Sequence, residues 1–166
     1  MRTFSLCILI VLFLITDSRV MHAQTDNAPL NQIELMKQWI GTWKTEGTYL
    51  SGDIQPYGNT GLLGYQKAQL KDSVANEYKF IYGYDKKSDK YIVAGIGKDK
   101  PEIMLMVFWF TKENICEKVP FEYISNPESA PSRAIFEFKS DNLIKGTYKE
   151  KGKPDRIYTM VREKTD

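Results

Sequence analysis

Aromatic side chains recur at alternate positions through much of this chain, and their spacing is its most chemical feature. In NEYKFIYGY, Tyr78, Phe80, Tyr82 and Tyr84 oppose Glu77, Lys79 and Gly83. In RAIFEFKS, Phe136 and Phe138 oppose Arg133, Glu137 and Lys139, and in NLIKGTYKE, Tyr148 shares a side with Ile144 and Gly146 against Lys145, Thr147 and Lys149. Period-2 alternation is the mark of a half-buried strand, with one face inward. Tyr49, Phe121, Tyr123 and Tyr158 extend the inward set from TWKTEGTYL, VPFEYIS and RIYTMVREK. Rings gathered in this way give apolar contact area, and tyrosine hydroxyls add a few orienting hydrogen bonds, which is the chemistry of a pocket for a small apolar or amphipathic molecule. The same rings serve equally well as filling for a solid core, so the residues leave cavity and packed interior open.

Other chemistry is poorly supported. The one histidine, His22, precedes the expected processing point, so the mature chain lacks histidine triads, histidine zinc sites and histidine-ligated haem. Cys116, in ENICEKVP, has no histidine base and reads as a half-buried turn residue, although dimerisation through it is open. Glu46, Glu77 and Glu137 alternate with lysines on outward faces, and no carboxylate stands in an apolar context that would raise its pKa for general-acid work. An acid–base enzyme built on tyrosine and arginine is the residual catalytic reading. Metal ligands do not cluster, and neither YGYDKK nor GIGKDKP has the form of a phosphate loop, so no cofactor or metal is expected.

The amino terminus frames the rest. Met1-Arg2 followed by SLCILIVLFLI and ending at His22-Ala23 reads as a secretory signal over residues 1–23, leaving 24–166 as a single secreted or periplasmic domain with no transmembrane span after processing. Of the two cysteines, Cys7 lies in the signal, so Cys116 has no internal disulfide partner. A chain of this length buries an adequate core without one. The net charge of +2 gives no general pull toward nucleic acid or anionic membranes. The hairpin IKGTYKEKGKPDR concentrates Lys145, Lys149, Lys151, Lys153 and Arg156, a pattern that chiefly keeps an exposed hairpin soluble.

These residues need elements to position them. NQIELMKQWI places Ile33, Met36, Trp39 and Ile40 at helical spacing, with Asn31 and Glu34 as a capping pair and Gly41 as the stop. Beyond Thr42 the period changes to two. TWKTEGTYL puts Trp43, Thr45, Gly47 and Tyr49 on one face of a strand, and SGDIQPYGN, YDKKSDK, GKDKPE, SNPESAPS, KSDN and KEKGKPD read as turns. The expected fold is all-β, an antiparallel up-and-down barrel of about 8–10 strands with one short N-terminal helix. Closure is favoured over a sandwich because inward rings occur on nearly every strand and a barrel has no free edge.

Ile103–Phe110, the unbroken apolar run IMLMVFWF, is too short for a membrane helix, which needs about 20 residues. It reads as a strand covered on both faces, one turned into the barrel and the other beneath the Ile33/Met36/Ile40 face of the helix or against a partner.

The run Trp39-Ile40-Gly41-Thr42-Trp43, a short helix delivering Gly-x-Trp into a first strand, resembles the opening of the calycins, the lipocalin and fatty-acid-binding barrels, and the layout matches small secreted bacterial lipocalin-like domains. The resemblance implies that Gly41 and Trp43 belong to the closure of one barrel end and that an arginine of the last strand, Arg162 with Arg156 second, packs across the Trp43 ring. It further implies a non-catalytic protein holding a small hydrophobic or amphipathic ligand among Tyr49, Tyr78, Phe80, Tyr82, Tyr84, Phe121, Tyr123, Phe136, Phe138, Tyr148 and Tyr158. The chain departs from the family pattern in having no second lipocalin motif, no helix after the last strand and no two-helix lid, which leaves subfamily and ligand open. The alternative is a protein-interaction module with a packed core and an apolar outer surface around Ile103–Phe110, in which a homodimer has its place.

Overall fold

A computed structural model describes residues 29–47, 49–69 and 76–163; the expected signal segment, 1–23, lies outside them. Ten strands follow one short helix: β1 (Gly41–Thr45), β2 (Tyr49–Tyr57), β3 (Gly61–Gln69), β4 (Asn76–Asp85), β5 (Lys90–Gly97), β6 (Ile103–Lys112), β7 (Ile115–Pro120), β8 (Ser132–Ser140), β9 (Leu143–Glu150) and β10 (Arg156–Arg162). Each pairs antiparallel with its neighbours in sequence, and β1 pairs with β10 to close the barrel. Closure is three residues deep, Trp43 to Thr45 opposite Arg162 to Met160, and is extended by hydrogen bonds from Glu163 N–H to Thr42 O at 2.8 Å and from Glu46 N–H to Thr159 O at 2.9 Å.

The helix α1 (Gln32–Met36) is capped by Asn31, whose Oδ1 accepts from Glu34 N–H at 3.2 Å, and continues as a 3-10 turn over Lys37–Trp39. It stops one end of the barrel rather than covering the outside of β6. Met36 and Trp39 are buried in the same cluster as the inward rings of β6 and β8, and the Gln32 amide donates to Phe110 O at 2.9 Å and accepts from Phe110 N–H at 2.7 Å. The reason lies in β6, whose pairing with β7 shifts register between Phe110 and Lys112, a bulge beside which Phe110's N–H and C=O are held by a side chain rather than by a strand.

Three local expectations are corrected. The run TWKTEGTYL is two strands, because the chain reverses at Glu46–Gly47, where Gly47 has φ +71°, a conformation that glycine adopts without a side-chain clash. Most of SGDIQPYGN is strand: β2 runs through Pro56, and the turn comes after it, with Gly58 at φ +65°. Finally, VPFEYIS is strand only to Pro120. Its ring offers no N–H to continue the ladder, and Phe121–Tyr123 forms a 3-10 turn. Cys116 consequently lies within β7 rather than in a turn, fully buried and facing the interior, where no second copy's thiol can reach it.

The parity of the apolar run is now fixed. Met104, Met106, Phe108 and Phe110 belong to the inward face; Ile103, Leu105, Val107 and Trp109 face out. The outer set splits. Val107 and its β7 neighbour Val119 are buried where the Phe121–Tyr123 turn packs against β6, whereas Ile103 and Leu105 are 64% and 44% exposed.

Candidate functional site

The helix end is built as a floor. Arg162 stacks over the Trp43 ring, its Cζ 4.3 Å from the ring centroid, and donates from Nε to Asp141 O (2.6 Å), from Nη2 to Gln38 O (2.9 Å) and from Nη1 to Ile40 O. A planar guanidinium suits this position, since one face meets the indole while the rim meets backbone carbonyls left over by the helix end. Gly41 makes room for it. Its φ is +123°, and a Cβ there would stand 2.6 Å from Arg162 Nη1. The Trp43 indole donates to Trp39 O at 2.9 Å, and Phe138 packs edge-on against both tryptophans. Tyr84 and Tyr91 lie together, with hydroxyls donating to Asp89 Oδ1 (2.7 Å) and Thr60 O (2.6 Å).

Beyond the floor the interior is not filled. A cavity of 510 Å³ extends over Trp39, Trp43, Phe80, Tyr82, Phe108, Phe136 and Met160. It opens where β1 ends early: Leu50 to Gly52 of β2 and Arg156 to Tyr158 of β10 line it, and that part of β10 has no β1 partner. Close-packed rings shape the walls. Phe108 and Phe136 stack with centroids 6.3 Å apart, and Trp39 stands edge-on to Phe136 at 4.8 Å. Two strand glycines serve this packing. A Cβ on Gly146 would fall 2.3 Å from the Tyr158 ring and one on Gly95 2.4 Å from the Phe80 ring, so these are places where aromatic residues, not a ligand, lie on the backbone.

The aromatic residues singled out from sequence therefore divide. Phe80, Tyr82, Phe136, Tyr148 and Tyr158 line the cavity. Phe138 and Tyr84 pack into the floor, and Tyr78 stacks on Phe80 without lining the cavity. Phe121 and Tyr123 leave the inward set altogether, being half-buried in the turn after β7. Tyr49 lies in β2, with its side chain outside the described portion.

Polar groups are treated differently at the two ends. The hydroxyls of Tyr82, Tyr148 and Tyr158 have no hydrogen-bond partner among the described residues, although Tyr82 is 9% exposed. Burial pushes the Tyr158 phenol up to about 12, with Arg156 opposing, and pushes Tyr82 higher still. Burial likewise lifts the Cys116 thiol to about 12, against the Trp39 indole facing it, which makes it an inert core group at neutral pH. The indole N–H of Trp39 has no nitrogen or oxygen partner.

Lys118 escaped the sequence reading. It projects inward from β7 opposite Phe108 and Ala134, its Nζ 5.7 Å from the Phe108 centroid and 6.0 Å from that of Phe136. Arg156 lies at the mouth with Cζ 4.6 Å above the Tyr148 ring and Nη2 3.9 Å from Glu150. The signal for Lys118 was the alternation of ICEKVP itself, in which Cys116 and Lys118 share a side. One described carboxylate is buried, Glu117, which is 7% exposed. It faces outward, held by Arg133, whose Nε donates to it at 2.5 Å and whose Nη1 reaches Glu128 at 2.6 Å, so it is a paired structural group. Among the described residues no three metal-ligating side chains gather. Comparison with protein-family models and with curated proteins finds no match to this chain. The fold and site alone define its class, a closed ten-stranded antiparallel barrel with a stoppered floor and an aromatic cavity.

Proposed function

We propose that this is a secreted or periplasmic lipocalin-like binding protein of calycin type that carries a small hydrophobic or amphipathic molecule in its barrel without transforming it. The observation that carries the reading is the 510 Å³ space among inward rings, edged by tyrosine hydroxyls that no described protein group uses. Its size falls within the roughly 300–1,000 Å³ of small-molecule sites, and its make-up, mostly apolar with a few convergent polar atoms, is what such sites use to bind and orient. The tyrosines, Lys118 and Arg156 of the lining are read as groups that hold and orient a ligand rather than as an acid–base set. Native mass spectrometry of the protein isolated from the organism that makes it tests the reading. A single small mass retained per chain is expected. A bare chain that also fails to raise the fluorescence of N-phenyl-1-naphthylamine contradicts it.

A second reading has its own observation. On the outer face, Leu63, Ile81, Ala94 and Leu105 stand side by side across β3 to β6, with Ile96 and Ile103 adjacent, and five of these six are well exposed. An apolar surface of this kind suits association with another protein or a second copy of this chain. The two readings do not exclude one another, because one uses the inside of the sheet and the other the outside.

A further inference from the structure

The cavity has a charge sign. Of the described residues that line it, Lys118 and Arg156 are charged and none is acidic. Arg156 sits at the mouth, largely exposed, and shares Glu150. Lys118 is deeper and differs in kind: no carboxylate lies within salt-bridge distance among the described residues, and no hydrogen-bond acceptor takes its ammonium protons. The carboxylate next to it in sequence, Glu117, projects from the opposite face of β7 into the grip of Arg133. The other polar groups of the described lining are Thr45, Ser51, Tyr65 and Gln66 together with the phenols of Tyr82, Tyr148 and Tyr158, of which burial raises the pKa of Tyr82 and Tyr158.

Lys118 is half-buried, and its ammonium is drawn partly from water beside two phenyl rings with no counter-ion in exchange, which cation–π contact offsets only in part. Burial correspondingly depresses the Lys118 pKa. A structural explanation would provide a counter-ion, as β7 does for its outward neighbour. Here no described partner stands on the side that faces the cavity, where the cross-strand neighbour is the small Ala134.

We infer that the occupant of this cavity is an anion-headed apolar molecule, a carboxylate or sulfonate whose charged group docks on Lys118 Nζ while its apolar body lies on Phe108, Phe136 and Phe80. The tyrosine hydroxyls donate to the same head group, and Arg156 at the mouth favours entry of anions over cations. This deepens the binding reading above and rests on it.

Two probes with the same ring system separate the two: 1-anilinonaphthalene-8-sulfonate bears an anion, and N-phenyl-1-naphthylamine lacks it. The wild type is expected to bind both. In Lys118→Met, the sulfonate probe should lose about tenfold to a hundredfold in affinity, the scale of a buried charge-assisted hydrogen bond, while the neutral probe holds or gains. Lys118→Met is expected to fold, because a thioether suits the apolar wall better than an unpaired ammonium; a thermal melt checks this. A second measurement needs no variant: decanoate should displace bound probe from the wild type at concentrations at least tenfold below decanol. Equal loss of both probes in Lys118→Met, no loss of the sulfonate probe, or equal displacement by decanoate and decanol would overturn the anion assignment. Failure of the wild type to take up either probe would instead overturn the cavity reading beneath it.

Discussion

The floor and the cavity of this barrel are built from the same residue types and treat their polar atoms in opposite ways. At the floor, most described donors are matched to protein oxygens: three guanidinium nitrogens of Arg162 to three carbonyls, the Trp43 indole to Trp39 O, the Gln32 amide to Phe110, and the Tyr91 hydroxyl to Thr60 O, the Trp39 indole being the exception. A few residues along the same strands, Tyr82, Tyr148, Tyr158 and Lys118 turn donors toward space that no protein atom fills. Buried donors are normally matched because leaving one unmade is expensive. The floor meets its donors with protein acceptors except at the Trp39 indole, which faces the Cys116 sulfur, whereas the donors of Tyr82, Tyr148, Tyr158 and Lys118 stay open to the cavity, and the open end is where a partner from outside belongs.

The contrast makes substitutions at the two ends differ in kind. The largest effect is expected at the floor: Trp43→Ala removes a ring that is 1% exposed and should cost about 3–5 kcal/mol in denaturant unfolding. Arg162→Ala should cost less on its own, and the double variant should fall short of the sum by about 0.5–3 kcal/mol, because the two side chains are in contact. Additive losses would mean that the stack holds nothing together. Next in size is Gln32→Ala, which strands a buried N–H and C=O on Phe110 and should cost about 1–3 kcal/mol by the same measurement. A change of a few tenths would show that water replaces the amide and that the plug is looser than its hydrogen bonds imply. The smallest effect on stability is expected at Tyr82→Phe, within about 0.5 kcal/mol, because the hydroxyl has no protein partner to lose; binding of a molecule that used it should weaken by about 0.5–1.5 kcal/mol, read by fluorescence titration. A stability loss as large as that of Gln32→Ala would erase the distinction between the two ends.

How much of this was legible in the sequence follows the same division. The floor was, because Gly41-x-Trp43 after a capped helix is a local pattern and Arg162 needed only the correct last strand. The inward rings of β4, β8 and β9 were legible too, since uninterrupted alternation fixes parity without knowledge of partners. β7 was not. Phe121, Glu122 and Tyr123 alternate like a strand, yet they follow Pro120, and the true strand ICEKVP has two aliphatics, one thiol and two charges where an apolar stripe would be sought. Lys118 was lost with it, because a lysine reads as solvated unless the strand's parity says otherwise. The helix was found but misplaced: its apolar face was matched to the outer side of β6, whereas the bulge beyond Phe110 and the reach of Gln32 draw it into the barrel end. Whether the rings fill the interior depends on barrel closure and on the early end of β1, which no local pattern records.

The most direct test of the central claim compares the two faces of the sheet in one spectrum. Methyl resonances of Met106 and Met160 report on the cavity, and those of Leu63, Ile81, Ile96 and Leu105 on the exposed outer patch. On titration with N-phenyl-1-naphthylamine, the methionine methyls should shift and saturate at one probe per chain while the outer methyls stay in place. Shifts confined to the outer methyls, with Met106 and Met160 unmoved, would contradict the account and make the outside of the barrel its functional surface.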